Sequence, residues 1–565
     1  MFTFVFLAAL LSSSVACKTV TYDFDVGWVS RAPDGFIRPV TGINGEWPIP
    51  TIEADKGDNI VVNVHNSLGN ESTSLHFHGQ FQVGSSAYDG PVGVTQCSIP
   101  PGGSFTYNFT AAPSGTFWYH SHDKGQYPDG LRGKMIIHDP PWEESLNVEE
   151  QIYLSMSDWY HTQMPYLINR YLSIHNRLGL LPPPNTFLIN DARTGPTLYF
   201  KPGKRYLLRI VSMSALACNF FHINGHNMTI VGIDGVHVHP QEAESLVICA
   251  GQRYDVVVTA KTSPKTSFQY IAKMATGMLT NDIPSNRSLT VYGTIVYRDQ
   301  SGRIFDSLYK YYNSSWLPTT VLNDMRLKPL DNQPLLPPPQ QQINFRTNQT
   351  YYEGIGTRIA VGRQPWVEPK VPSLYTALST GISASDPSTY GVGVDPWVLN
   401  AGDIVQIYME NPQPWGHPMH LHGHVFQVVA RGFGSWDGNE ATLPPIPMKR
   451  DDVIIPPNGY FVLRFEANNP GVWFFHCHID LHLVAGMAAT FIEAPDVLQR
   501  TQVIPASGTA LCSADGQCSC GNCDCGQGPI SEYDATTRCN TIFNSQLERY
   551  GALITAKQAK GCAKC

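Results

Sequence analysis

The chain predicts an all-β protein built from repeated β-sandwiches, on three observations. Segments such as NIVVNVHNSL (59–68), SFTYNFTA (104–111), RYLLRIVSM (205–213), RYDVVVTAK (253–261) and YFVLRFEA (460–467) alternate apolar and polar residues. They are rich in β-branched and aromatic side chains, the period-two signature of half-buried strands. Between them, 48 glycines and 43 prolines fall at turn spacing, a density that suits short strands better than helices. The pattern also recurs. KGDNIVVNVHNS from Lys56 is echoed by AGDIVQIYMENP from Ala401, and GKRYLLRIVS from Gly203 carries a similar strand between them.

Taken in order, the chain opens with MFTFVFLAALLSSSVAC, an apolar run from Phe2 to Leu11 followed by small residues at Ser14 and Ala16. This predicts a cleaved secretory leader over 1–16. Sequons at Asn70, Asn108, Asn227, Asn286, Asn313 and Asn348 agree with a secreted glycoprotein. The sandwiches are expected over 17–145, 146–310 and 311–500, the last including the proline-rich connection NQPLLPPPQQQ (332–342). A tail over 501–565 holds eight of the thirteen cysteines. A net charge of −8 without a basic run argues against nucleic acid. After the leader no apolar run approaches the ~20 residues of a membrane span. A monomer is expected.

Ten of the nineteen histidines fall in four short clusters: His76 and His78 in LHFHG, His120 and His122 in WYHSH, His417, His420 and His422 in GHPMHLHGH, and His476, His478 and His482 in HCHIDLH. On a strand, an H-x-H pair puts both rings on one face, so four pairs from the two end repeats can converge into a nest of about eight imidazoles. Imidazole alone suits several metals, but Cys477 and His482, with His417 and a weak axial Met487, match a blue-copper site. Structural zinc would want more cysteines or a closed four-ligand set. Cys477 lies between His476 and His478, giving electrons a short covalent path between metal centres. His65, His138, His161, His175, His222, His226, His237, His239 and His424 lack such partners and are read as structural.

With these motifs the chain resembles the multicopper oxidases, three-domain proteins of cupredoxin-like Greek-key sandwiches, over about 19–496. The resemblance implies four copper ions: a type 1 ion held by His417, Cys477, His482 and Met487, a type 2 ion by His76 and His420, and a type 3 pair by His78, His120, His122, His422, His476 and His478. It implies one-electron oxidation of a donor coupled to reduction of O₂ to water. It also makes Asp89 in YDGPVGVTQC and Asp480 in HCHIDLH proton-relaying acids beside the catalytic Cys477.

Within the family, HFHGQFQ, WYHSHDKGQYPDGLRG, SMSDWYH and NPGVWFFHCHI look most like fungal iron-oxidising enzymes. Those enzymes place a glutamate near the type 1 histidine, where this chain has Leu181. Secreted fungal laccases place an acid near Leu216 and a loop cysteine at Pro128. Their cysteine corresponding to Cys97 pairs with the C-terminal region, which makes Cys512 its partner here. The leucines favour a small aromatic donor, and an axial methionine favours a low potential. The expectation is therefore a secreted, laccase-like oxidase of phenolic or polyketide aromatics, as in pigment formation. The alternatives are a ferroxidase and a non-catalytic copper carrier or store. CSADGQCSCGNCDCGQG in the tail reads either as a disulfide knot or as a Cu(I) site.

Overall fold

A computed structural model describes residues 17–264, 266–279, 287, 289–298, 320–514, 516–522 and 526–530. The expected leader, the sequons at Asn286 and Asn313, and the tail cysteines Cys523, Cys525, Cys539, Cys562 and Cys565 lie outside the described residues.

The alternating segments form three pairs of sheets. In the first pair, strands Thr19–Arg31, Arg38–Ile43, Asn59–Asn66 and Ser104–Thr110 make one sheet, and Ile52–Asp55, His76–His78, Gly115–His120 and Arg132–His138 the other. A six-stranded and a five-stranded sheet make the middle pair, and two five-stranded sheets the last. Alternation sends the apolar residues inward: in Asn59–Asn66, Ile60, Val62 and Val64 are buried while their neighbours are not. Each end unit contains parallel as well as antiparallel neighbours, so strands cross between the two layers. Among the described residues no helix is long and apolar enough to cross a membrane.

The proline-rich stretch is clamped onto the last sandwich. Leu336 N–H donates to Gln427 Oε1 at 2.9 Å, Gln427 Nε2 donates to Pro334 O at 2.7 Å, and Arg464 Nη1 donates to Leu336 O at 3.1 Å. At the other end, Cys97 is bonded to Cys512 in the helix Ala506–Ala514, so the start of the tail is tied to the first sandwich. A second bond, Cys218–Cys249, staples the middle one. Cys520 is also disulfide-bonded.

Buried charge holds the sandwiches together. Arg253 of the middle unit donates to both oxygens of Asp451, at 2.6 and 2.7 Å, and Arg450 Nε donates to Asp234 at 2.7 Å. Between first and middle units, Glu143 accepts from Arg209 Nη2 at 2.6 Å and Gln151 Nε2 at 2.7 Å, and contacts His138 Nδ1 at 3.0 Å. Burial alone would raise the Glu143 carboxyl, but His138, Gln151 and the Arg209 charge outweigh it and bring it to about 2.

A depressed carboxylate contributes stability above its unfolded pKa and loses it as pH falls through its folded one. Glu143→Gln should therefore cost about 2 kcal/mol near neutral pH, and less as pH falls from ~4.3 toward the folded value. Urea midpoints of both proteins, near neutral pH and near pH ~3, check the sign.

Candidate metal centre

Strand register brings the histidine clusters together. His76–His78 runs antiparallel to Gly115–His120, with His76 opposite His120. In the last unit His417–Leu421 runs antiparallel to Gly471–Cys477, with His420 opposite His476 and Met419 opposite Cys477. His122, His422 and His478 follow just beyond their strand ends. Within each H-x-H pair the ring centroids lie 4.9–5.8 Å apart, as side chains on one face should. The two pairs of strands face each other. His76 stacks on His422 at 4.0 Å and His78 on His420 at 3.9 Å, which closes eight imidazoles into one nest.

The nitrogens aim at shared points. His78 Nδ1 and His478 Nε2 are 3.1 Å apart, and His422 Nε2 and His476 Nε2 3.0 Å. Nε2 of His76, His120 and His420 is buried without a hydrogen-bond partner. Donor atoms gather in the sets His76–His420–His422, His76–His78–His120 and His122–His422–His476. Burial first, then neighbouring imidazoles, pushes His78, His120, His122, His420, His422 and His478 well below the usual histidine range, and His476 to about 3. The rings are therefore neutral, with lone pairs free for a cation.

A second point lies beside the nest. His417 Nδ1 and His482 Nδ1 are 3.1 Å apart, and Cys477 Sγ is 3.7 Å from each. The strand ends at Cys477, and the helical turn Asp480–Val484 swings His482 back toward it. Met487 then closes the loop, its N–H donating to His482 O and its carbonyl accepting from Cys477 N–H, both at 3.0 Å. Burial raises the Cys477 thiol, so it would ionise only against a bound cation. His417 Nε2 points outward to Gln413 Oε1 at 2.7 Å.

The ten clustered histidines and Cys477 therefore gather at these two points, and Met487 meets the second through its backbone. Asp89 is fully buried, with Oδ2 2.7 Å from His422 Nδ1 and its carbonyl 2.7 Å from His76 Nδ1. Burial raises its carboxyl, opposed by His76. Asp480 lines a cavity of ≈ 80 Å³ together with His120, His122, His476 and His478. Burial, with Asp158 and Asp129 nearby, pushes its carboxyl up to about 7.

Sequence reasoning missed Asp451, whose carbonyl accepts from His420 Nδ1 at 2.9 Å and whose carboxylate lies 3.7 Å from His78 Nε2. It also missed Gln413 and the Cys218–Cys249 bond. Among the histidines read as structural, His424 pairs with Glu493 at 2.9 Å, His226 with Tyr297 at 2.6 Å and His161 with Asp34 at 2.7 Å. None of these three belongs to a donor set.

Family signatures described as multicopper oxidase match residues 25–141, 150–300 and 366–497. The chain belongs to the multicopper oxidase family. It is 44% identical over 522 residues to the iron transport multicopper oxidase fetC of Epichloe festucae, covering 90% of this chain and 82% of that one. It is 41% identical over 525 residues to the iron transport multicopper oxidase FET3 of Gibberella zeae, covering 92% and 83%. Among solved structures it matches Fet3p, a multicopper oxidase that functions in iron import, at TM-score 0.84 and 34% identity over 89% of this chain and 96% of that one. It matches the Botrytis aclada laccase at 0.70 and 28%, over 88% and 91%. As a multicopper oxidase the chain is a copper oxidoreductase using O₂, with cupredoxin-like sandwiches and four copper ions: one type 1, one type 2 and a type 3 pair. The donor atoms fit that set, with nitrogen for all four ions and the one thiolate at the type 1 point.

Cys477→Ser removes the soft ligand and leaves the nest intact. It should abolish the visible thiolate–copper absorption, release about one copper per chain, and lower turnover with any donor by at least ~10³-fold. Copper analysis and visible spectra of the two proteins check this.

Proposed function

We propose that this multicopper oxidase oxidises Fe²⁺ to Fe³⁺, four Fe²⁺ and four protons reducing one O₂ to two waters. The observation that carries the reading is likeness over nearly the whole chain to relatives named for iron transport, together with the match to Fet3p. The same findings overturn the expectation of a laccase-like oxidase of phenolic or polyketide aromatics in pigment formation. That expectation let Leu181 and Leu216 select a small aromatic donor. Leu181 is only 3% exposed and Leu216 0%, so both belong to the core and neither selects a donor at the surface.

In this reading His417, Cys477 and His482, with Met487 axial, hold the type 1 copper. His76 and His420 hold the type 2 ion, and His78, His120, His122, His422, His476 and His478 the type 3 pair. Bound copper supplies the one-electron steps and the reduction of O₂. The protein keeps the imidazoles neutral and converging, excludes bulk water, and places two acids at the nest. Asp480, with Oδ2 unpartnered and its carboxyl near neutrality, is suited to holding and releasing a proton at the cavity. Asp89 fixes the rings of His76 and His422 through their outer nitrogens. The apolar leader and sequons support a secretory route, and the four sequons within the described residues, Asn70, Asn108, Asn227 and Asn348, are all exposed.

The copper-loaded protein in air should give a kcat/KM for Fe²⁺ at least about tenfold above that for dihydroxynaphthalene or a simple diphenol. Oxygen uptake with each donor measures the ratio, and the reverse ratio would contradict the iron reading.

A further inference from the structure

The helix Met164–Tyr171 packs against the helical turn that carries His482, with Ile168 and Val484 meeting over Gly125. After the helix the chain loops back through residues 173–183. Helix and loop enclose a cleft of ≈ 760 Å³, lined among others by Tyr166, Arg170, Tyr171, His175, Leu180 and Pro183. That is the size of a small-molecule site.

The floor of this cleft lies close to the type 1 point. Tyr171, on that floor, is buried. Only one strand intervenes: Arg358 Nη1 donates to Leu172 O at 3.1 Å, and the next residue, Ile359, donates its N–H to Ala485 O at 2.9 Å, two residues before Met487.

The walls do not suit a bare metal ion. Among the described lining residues none is an aspartate or glutamate, and Arg170 brings a permanent positive charge. In the same loop Arg177 adds a second guanidinium, 4.9 Å over the Tyr351 ring and 3.9 Å from the exposed Glu353. Tyr166 and Leu180, both lining the cleft, expose apolar surface to solvent. Hydrated Fe²⁺ is a hard dication that favours anionic oxygen donors; the described lining offers only neutral ones, such as Ser173, Asn169 and Asn176, and guanidinium repels it. A complex that brings its own carboxylates reverses both objections. Its oxygens satisfy the iron, its net negative charge meets Arg170, and its carbon skeleton lies against Tyr166 and Leu180.

We infer that this cleft receives Fe²⁺ as a small anionic carboxylate chelate, held by Arg170 beside the type 1 site, and that the hydrated ion is the poorer donor. The inference rests on the iron reading above. One electron leaves the chelated iron, which becomes Fe³⁺ within the same ligand shell. No bond to the protein forms, and O₂ remains the final acceptor. Carboxylate oxygens also stabilise Fe³⁺ more than Fe²⁺, so the chelate is the more readily oxidised form.

The test compares hydrated Fe²⁺ with Fe²⁺–citrate on the copper-loaded enzyme, net of the uncatalysed rate, alongside calorimetric binding of redox-inert gallium(III) citrate. The chelate should show a kcat/KM about tenfold higher or more. Gallium citrate should bind and compete with it. Arg170→Glu should cut the chelate's kcat/KM about tenfold through KM and weaken gallium citrate binding by a similar factor, and Arg170→Lys should restore most of both. Preference for the hydrated ion, or an Arg170→Glu protein that binds gallium citrate like wild type, overturns the inference and leaves iron oxidation standing. If neither form of iron is oxidised, the iron reading falls and this inference with it.

Discussion

Neutral imidazole nitrogens facing one another at 3.0–3.1 Å, deep in the desolvated nest and at the point beside it, are the constraint from which the remaining features follow. Two lone pairs that close repel unless a cation sits between them, and burial makes protonation the expensive answer. Metal is the inexpensive one. The thiolate at Cys477 then decides which metal, because a soft sulfur beside two imidazoles suits copper.

Holding such a nest requires the two end sandwiches to meet face to face, and the middle sandwich acts as the brace. Its Arg253 clamps Asp451, whose carbonyl fixes His420. Close approach is permitted by glycine. At Gly251, with φ +85°, a Cβ would lie 2.7 Å from both His478 Cδ2 and Asp452 Oδ2. At Gly90, with φ +102°, it would lie 1.8 Å from Leu75 O, next to His76. Both positions need a residue that tolerates left-handed backbone and occupies no side-chain volume. The buried ion pairs between units give orientation more than net stability.

Much of this was legible in the sequence, and the reason is periodicity. Alternation placed the strands, and the same period of two put both rings of each H-x-H pair on one face, so the pairs could be read from spacing, while their division among copper ions came from the family resemblance. Long-range pairing could not be read that way. Nothing local links Asp451 to His78, Gln413 to His417 or Cys218 to Cys249, because those contacts depend on how separate strands and loops meet. The donor was misread for a related reason. The family resemblance sets Leu181 and Leu216 against acidic positions, but sequence does not report that both side chains lie in the core. The cleft beside Tyr171 is formed by a helix and a returning loop, elements that β-alternation does not announce.

The central claim is that the four clusters fold into one nest for three copper ions, with a fourth ion at Cys477. Anomalous diffraction at the copper absorption edge from crystals of the loaded protein tests it most directly. The account predicts four copper peaks per chain, three within the ring of eight imidazoles and one between His417, Cys477 and His482. A chain with peaks only at the Cys477 point, or with its copper scattered outside the nest, would contradict it.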